Sequence, residues 1–198
     1  MRLLIFLLLL GGCLGTVLEP SPPIADRNAV PAEAPPPDLD ALPELVHRTA
    51  NDARQSSGRP ALAWSDALAA VAEAHSRDMA ARGYFAHDSP EGATPSDRAL
   101  AAGIECRVDV GGGRSRVGVA ENLFQITRYE HVRTRTVGDQ TTRMVDWFTP
   151  AEIAREVIDG WLDSSGHRRN LLDDVSTQHG IGIAVDVDDR ITVTQVLC

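Results

Sequence analysis

A pair of alternating apolar segments near the C-terminal end constrains the fold more than any other feature. Apolar residues occupy every second position from 181 to 185, and mainly apolar residues repeat that spacing from 191 to 197. Asp188 and Asp189 lie between the two segments. A period of two places alternate side chains on opposite faces of a strand, so the sequence predicts an antiparallel hairpin. One face of that hairpin must be covered by other elements.

Helical patterns precede this hairpin in four places. Apolar residues at helical spacing begin at Leu42 and end before Gly58. Ser65 as N-cap and Gly83 as C-terminal stop bound a long helix over residues 66–82. The predicted core side of this helix consists of Leu68, Val71, Ala72, Ala74, His75, Met79 and Ala80.

Two capping boxes with proline at the first helical position mark the other two helices. Thr94 opens a short helix that ends at Gly103, and Thr149 opens a helix over residues 153–163. Residues 104–119, including the glycines at 111–113, resemble a flexible loop. Residues 131–145 predict a hairpin that turns near Gly138. Helices with late antiparallel strands argue for an α+β fold.

Residues 161–172 combine apolar ends with a polar centre. The pattern predicts the last turn of a helix, a stop at Gly166, and a polar turn that carries His167, Arg168, Arg169 and Asn170. The arginines complement the helix dipole or clamp an anionic group of a ligand. They are also in reach of salt bridges to Asp173 or Asp174.

The N-terminus resembles a bacterial lipoprotein signal. An apolar run over residues 3–10 is too short to span a bilayer, and small residues lead to Cys13. This predicts a signal peptide over residues 1–12, acylation of Cys13 with palmitate or a similar chain, and a proline-rich tether over residues 13–40. The alternative is an ordinary signal peptide. Leu14 after the cysteine implies a lipid anchor in the outer membrane.

Composition excludes several classes of function. The formal net charge of −9 argues against a nucleic-acid partner, because phosphate neutralisation needs a basic face. The chain contains no lysine, which removes phosphate-loop, Schiff-base and Ser–Lys chemistry. Besides Cys13 only Cys106 and Cys198 remain, so in an exported chain these two are expected to form a disulfide. The alternative is two separate thiols.

Five segments in order resemble the CAP superfamily, also called the SCP domain, and in particular its short bacterial branch. The segments are residues 74–80, 83–87, 120–123, 161–172 and 180–196. The resemblance covers residues 41–198 and implies an α-β-α sandwich with a central antiparallel sheet.

The resemblance also implies a cleft lined by two histidines and two glutamates. His87 and Glu121 match the first histidine and the first glutamate of the family. The second glutamate falls near Asp163 or Ser164 and the second histidine near Thr192, so both matches fail. His167 of the bacterial branch is expected to fill that space.

The candidate binding site therefore consists of His87, Glu121, Asn122, His167, Arg168 and Asn170. Two imidazoles and a carboxylate are suited to zinc or another divalent metal, so His87, Glu121 and His167 are candidate metal ligands. The alternative is a hydrogen-bonded network that holds loops to a helix end. A hydrolase would use Ser89, Ser164 or Ser165 as nucleophile beside these histidines.

The other polar and aromatic residues have simpler interpretations. His75 is expected in the core or behind the site, and His179 at its border. His47 and His131 are interpreted as surface residues. The tryptophans are expected in the core, and Asp186, Asp188 and Asp189 in a solvated turn rather than a calcium site.

The predicted function is that of a binding module in the cell envelope. Its expected ligand is a lipid, a glycan or an envelope protein, and its expected membrane contact is the lipid anchor. The alternative is a metal-dependent or serine-type hydrolase that uses the same cleft.

Overall fold

The computed structural model describes residues 36–198, so the predicted signal peptide, Cys13 and most of the tether lie outside the described residues. Within this range no helix is long and apolar enough to cross a membrane. The elements, in chain order, are α1 Leu42–Ser56, β1 Ala63–Trp64, α2 Asp66–Arg82, α3 Pro95–Ala101, β2 Arg107–Gly111, β3 Arg114–Val117, β4 Ala120–Thr127, β5 Tyr129–Val137, β6 Gln140–Trp147, α4 Pro150–Asp163, α5 Ser165–Leu171, β7 Gln178–Val185 and β8 Arg190–Leu197.

A four-stranded sheet in the order β1-β7-β8-β4 forms the centre of the fold. The predicted C-terminal hairpin is confirmed, with Ile183 opposite Val193, and β4 pairs antiparallel with the other side of β8. The sheet is mixed rather than wholly antiparallel, because the two-residue strand β1 joins β7 in parallel. The helices cover both faces, so the α+β class and the sandwich are confirmed.

The first face of the sheet packs against α1 and α4. Isoleucine and valine side chains of β7 and β8 meet apolar residues of both helices there, and Trp161 is fully buried among them. Arg54, at the end of α1, is also buried and donates to the backbone oxygens of Pro60 and Leu171. Arg54 therefore joins α1 to the end of α5.

The second face of the sheet packs against α2, which lies over β7 and β8. Gly180 and Gly182 make this approach close. A Cβ atom at Gly180 would lie 2.0 Å from the backbone nitrogen of Ala69, and one at Gly182 would lie 1.9 Å from that of Glu73. The helix backbone thus rests directly on the strand.

The signals for helix ends are confirmed. Gly83 ends α2 in the left-handed conformation with φ of 69°, and Ser65 accepts a hydrogen bond from the backbone of Leu68. Both capping boxes form, at Thr94 and at Thr149. On α2 the predicted core side holds except at Ala74, which is exposed.

Three local predictions have different outcomes. Residues 104–119 were predicted as a loop but form the β2–β3 hairpin. The glycines at 111–113 form the turn between its two strands. The 131–145 hairpin is confirmed as β5–β6. Gly166 is not a stop, because α5 begins at Ser165 and carries His167 to Asn170 on a helix.

The disulfide between Cys106 and Cys198 is confirmed and ties the C-terminal residue to the start of the β2–β3 hairpin.

Candidate functional site

Glu121, at the start of β4, is the centre of the site. Its side chain is only 1% exposed, yet both carboxylate oxygens are used. Oε1 accepts a hydrogen bond from Nδ1 of His87 at 2.9 Å, and Oε2 accepts one from Arg98 at 2.6 Å. Burial of a carboxylate is costly without such partners, so His87 and Arg98 make this position tenable for a charged Glu121.

His87 lies in the loop that follows α2, and the loop is fixed by side chains. Tyr84 donates to Asp78 at 2.5 Å. Nε2 of His75 donates to the backbone oxygen of Ala86 at 3.0 Å, and Arg98 donates to the backbone oxygen of His87 at 2.8 Å. His87 is thus held at its backbone and at Nδ1 while its ring remains half exposed.

The charge of His87 depends on Glu121. The hydrogen bond to Glu121 raises the pKa of His87 above its usual value, and burial opposes this only in part. Its other ring nitrogen, Nε2, has no hydrogen bond recorded to any described residue. The site therefore presents one imidazole nitrogen with a controlled protonation state toward solvent.

His75 lies behind this pair, as expected for a residue that supports a site. Its Nε2 is 4.0 Å from Oε1 of Glu121, and its side chain is 1% exposed. Burial lowers the pKa of His75, although Glu121 acts in the opposite direction. His75 is therefore an uncharged side chain packed behind Glu121 rather than a second cation of the site.

Asn122 connects β4 to α5 on the opposite face of the sheet. Its Nδ2 donates to the backbone oxygen of His167 at 3.1 Å, and its Oδ1 accepts from Asn170 at 3.0 Å. Asn170 also donates to the backbone oxygen of Glu121 at 3.0 Å. The neighbouring residues Glu121 and Asn122 thus bind the loop of His87 and the helix of His167 to the same point of the sheet.

His167 lies beside His87, with 6.2 Å between the ring centroids. Burial lowers the pKa of His167, and proximity to His87 lowers it further. As the pH falls, His87 therefore takes up its proton before His167 does. His87, when protonated, is a hydrogen-bond donor, and the neutral ring of His167 beside it can donate or accept.

A buried hydrogen-bond chain extends from Asn122 across the sheet. Asn122 donates to Gln195, Gln195 donates to Nδ1 of His179 at 2.8 Å, and Nε2 of His179 lies 2.7 Å from Nδ1 of His47. Burial lowers the pKa of His179 to about 3, so its ring is neutral. His179 lies in the core rather than at the border of the site, and His47 is a partner in this chain rather than a free surface residue.

The two arginines of α5, Arg168 and Arg169, are both exposed. Nε of Arg168 donates to the backbone oxygen of Leu162. The salt bridges predicted from Arg168 and Arg169 are wrong, because Asp173 pairs with Arg116 at 2.7 Å and Asp174 with Arg59 at 3.5 Å.

The residue set does not fit a metal centre. Among residues 36–198 no group of three or more His, Cys, Asp or Glu side chains is placed to hold a metal ion. His87 lies beside His167 and bonds to Glu121, but the three side chains do not form the predicted centre.

The position expected for a second histidine and the candidate serines take other roles. Thr192 is buried and accepts from Gln125 at 3.1 Å. Ser89 accepts from the backbone of Ala93. In the described part of the chain no hydrogen bond is recorded between His87 or His167 and Ser89, Ser164 or Ser165.

Two polar residues of the site escaped the sequence analysis. The capping box at Thr94 predicted α3, but nothing indicated that Arg98 faces Glu121. Gln195 fell on the apolar face of its strand by alternation. A polar residue in such a position is the signal that would have predicted a buried partner.

Comparison with known proteins identifies the fold family. The family model described as CAP, cysteine-rich secretory protein family, matches residues 47–197. The chain belongs to the CAP family.

Relatives of this CAP domain include bacterial proteins. The uncharacterized protein YkwD of Bacillus subtilis (strain 168) is 26% identical over 162 residues, which cover 82% of this chain and 49% of YkwD. An extracellular protein of Bacillus anthracis str. Ames that contains an SCP domain is 27% identical, with a TM-score of 0.51 over 80% of this chain and 41% of that chain. The chain thus spans about half the length of these relatives.

A third solved structure is matched over almost all of its length. This outer surface protein of Borrelia burgdorferi is 14% identical, with a TM-score of 0.56 over 81% of this chain and 94% of that chain. At this identity the likeness shows the fold alone. In this CAP domain, the segment 161–172 that resembles the bacterial branch places His167 on helix α5.

Proposed function

We propose that this chain is an exported CAP-domain binding module of the cell envelope that recognises a glycan through His87 and His167. The observation that carries the proposal is the hydrogen bond of 2.9 Å from His87 to the buried Glu121. It fixes one ring nitrogen and leaves the other free at a half-exposed position. Fixed donors and acceptors of this kind suit the hydroxyl and amide groups of a sugar chain.

An exported location has independent support. The predicted N-terminal signal and the disulfide agree with it, and the Bacillus anthracis relative is an extracellular protein. We place the domain on a lipid anchor at Cys13, in the outer membrane, as the segment after the signal predicts. The tether would let the domain stand away from the membrane.

The glycan proposal is tested by calorimetric titration of the full chain with soluble N-acetylglucosamine oligomers. His87→Gln and His167→Gln are each expected to weaken binding by about tenfold, or about 1.4 kcal/mol. His131→Gln is the matched control, because His131 is exposed on β5, and it should bind as the wild type does. Equal binding by all four proteins, or none by the wild type at millimolar ligand, would reject the site.

The second candidate function is a hydrolase, and it is tested by incubating the same oligomers with the protein and measuring new reducing ends. The observation that favours it is again the pair of His87 and Glu121, since a carboxylate that orients a histidine is a recurring base arrangement. New reducing ends that accumulate with the wild type and not with His87→Gln would favour hydrolysis over binding alone.

A further inference from the structure

The outer edge of β7 is open along most of its length. β1 pairs with β7 only at Gln178 and His179. From Ile181 to Val185 no other strand of the described residues lies on that side. Open strand edges are sites where another chain can add a strand.

The backbone groups on this edge can be assigned from the pairing with β8. Gln178 and Cys198 exchange two hydrogen bonds, and the amide of Asp186 donates to Arg190. Because the antiparallel pattern alternates, residues 178, 180, 182, 184 and 186 bond toward β8. The N–H and C=O groups of Ile181, Ile183 and Val185 therefore point to the open edge.

Helix α2 runs beside this edge and forms its upper wall. Two hollows, of about 270 and 470 Å³, follow one another between α2 and residues 181–187, and Pro43 and Trp64 also border the first. The absent side chains of Gly180 and Gly182 bring α2 close enough to border the edge. The α2 residues that line the hollows are Asp66, Ala69, Ala70, Glu73, Arg77, Ala80 and Ala81.

This stripe on α2 is complementary to itself. When two such helices run antiparallel about a twofold axis at position 75, Ala69 faces Ala81 and Ala70 faces Ala80 of the other helix. Glu73 and Arg77 already pair within α2 at 2.5 Å. The twofold axis sets this pair against the same pair of the other helix with opposite charges facing, and the flanking side chains are small.

We propose that a second copy of this chain adds to the sheet through β7, antiparallel and about a twofold axis at Ile183. Ile183 then pairs with Ile183 of the partner subunit, and Ile181 with Val185 of the partner subunit. Paired strands lie about 4.8 Å apart, and helices with small contact residues pack about 8–10 Å apart. The two central sheets become one continuous sheet, with the two α2 helices side by side on one face.

Sedimentation equilibrium of the full chain in detergent tests this arrangement from about 1 μM to about 1 mM, the range of weak to moderate interfaces. The wild type is expected to form dimers. Ala81→Arg should raise the dimer dissociation constant at least about 100-fold, because it places a long charged side chain between the helices. The matched control is Ala151→Arg on α4, an exposed alanine on a helix that packs on the opposite face of the sheet, which should leave the constant unchanged.

A proline and a charge exchange make the test specific for the edge. Val185→Pro removes an N–H that points outward, so it should abolish the dimer and leave the monomer folded by circular dichroism. Arg77→Glu should weaken the dimer about tenfold or more, and the double variant Glu73→Arg, Arg77→Glu should restore it. Amide exchange at Ile183 and Val185 should slow as the wild-type concentration rises.

Two results would overturn the proposal. A wild type that stays monomeric at about 1 mM excludes a second copy as the occupant of this edge and leaves it to an extended peptide of another protein. A dimer that is equally stable in Ala81→Arg and Val185→Pro must use another surface.

Discussion

At the scale of single residues, the site depends on how one buried carboxylate is shared. The resemblance to the family predicted His87 and Glu121, and those residues bond directly. Arg98, which completes the set, was not predictable, because which face of a short helix meets β4 is decided by packing. The roles of His47 and His179 were missed for the same reason, since their partners are distant in sequence.

Replacing Glu121 by Gln should lower the pKa of His87 toward its usual value near 6.5, because the charged partner is lost. The raised pKa of His87 in the wild type adds stability that is fully present below pH 6.5 and is lost as pH rises through the raised pKa. In Glu121→Gln that pH dependence should vanish.

NMR titration of the imidazole and urea unfolding at several pH values measure both effects. Glu130→Gln, an exposed change on β5, is the control and should leave the titration of His87 as it is. An unchanged His87 titration in Glu121→Gln would mean that another group sets its pKa.

At the scale of elements, the capping boxes predicted where helices begin and the period-two segments predicted the C-terminal hairpin. Glycine residues, by contrast, led to wrong predictions of a helix end and of a loop. Gly166 resembled a helix stop but lies inside α5, because Arg54 and Asn170 hold the helix in place through the backbone oxygens of Leu171 and Glu121. Tertiary contacts of this kind exceed the cost of one helical glycine, about 1 kcal/mol. Glycines in 104–119 likewise hid a hairpin.

Two glycine-to-alanine changes should have opposite effects. Gly182→Ala should destabilise the fold by about 3 kcal/mol or more, because the new Cβ atom would lie 1.9 Å from a helix backbone nitrogen that cannot move alone. Gly166→Ala, which has nothing within 4 Å, should stabilise it by about 0.5–1 kcal/mol. Urea unfolding measures both. Similar effects of the two changes would show that α2 does not rest on β7 as described.

At the scale of the whole molecule, the order of helices and late strands was enough to predict the α+β class, and the resemblance to the family predicted the sandwich. The mixed character of the sheet was not predictable, because β1 has only two residues and no pattern marks so short a strand. The disulfide followed from the count of cysteines in an exported chain, since the two cysteines that pair are 92 residues apart and no local pattern links them.

The proposed lipid anchor also belongs to this scale. Cys13→Ser should release the protein from the membrane fraction, because no acyl chain can then be attached to a thiol. Fractionation of cells and mass spectrometry of the N-terminal peptide measure the outcome. A wild-type protein whose mature N-terminus lacks an acylated Cys13 would contradict the anchor.

The end of the domain where the preceding chain joins it lies far from His87. Arg128, just after β4, donates to the backbone oxygen of Pro37 and pairs with Asp189. Glu121 lies seven residues earlier along the same strand, a span of about 23 Å. A domain held by its N-terminal chain therefore points its histidines away from whatever holds it, and the site would meet ligands that arrive from outside.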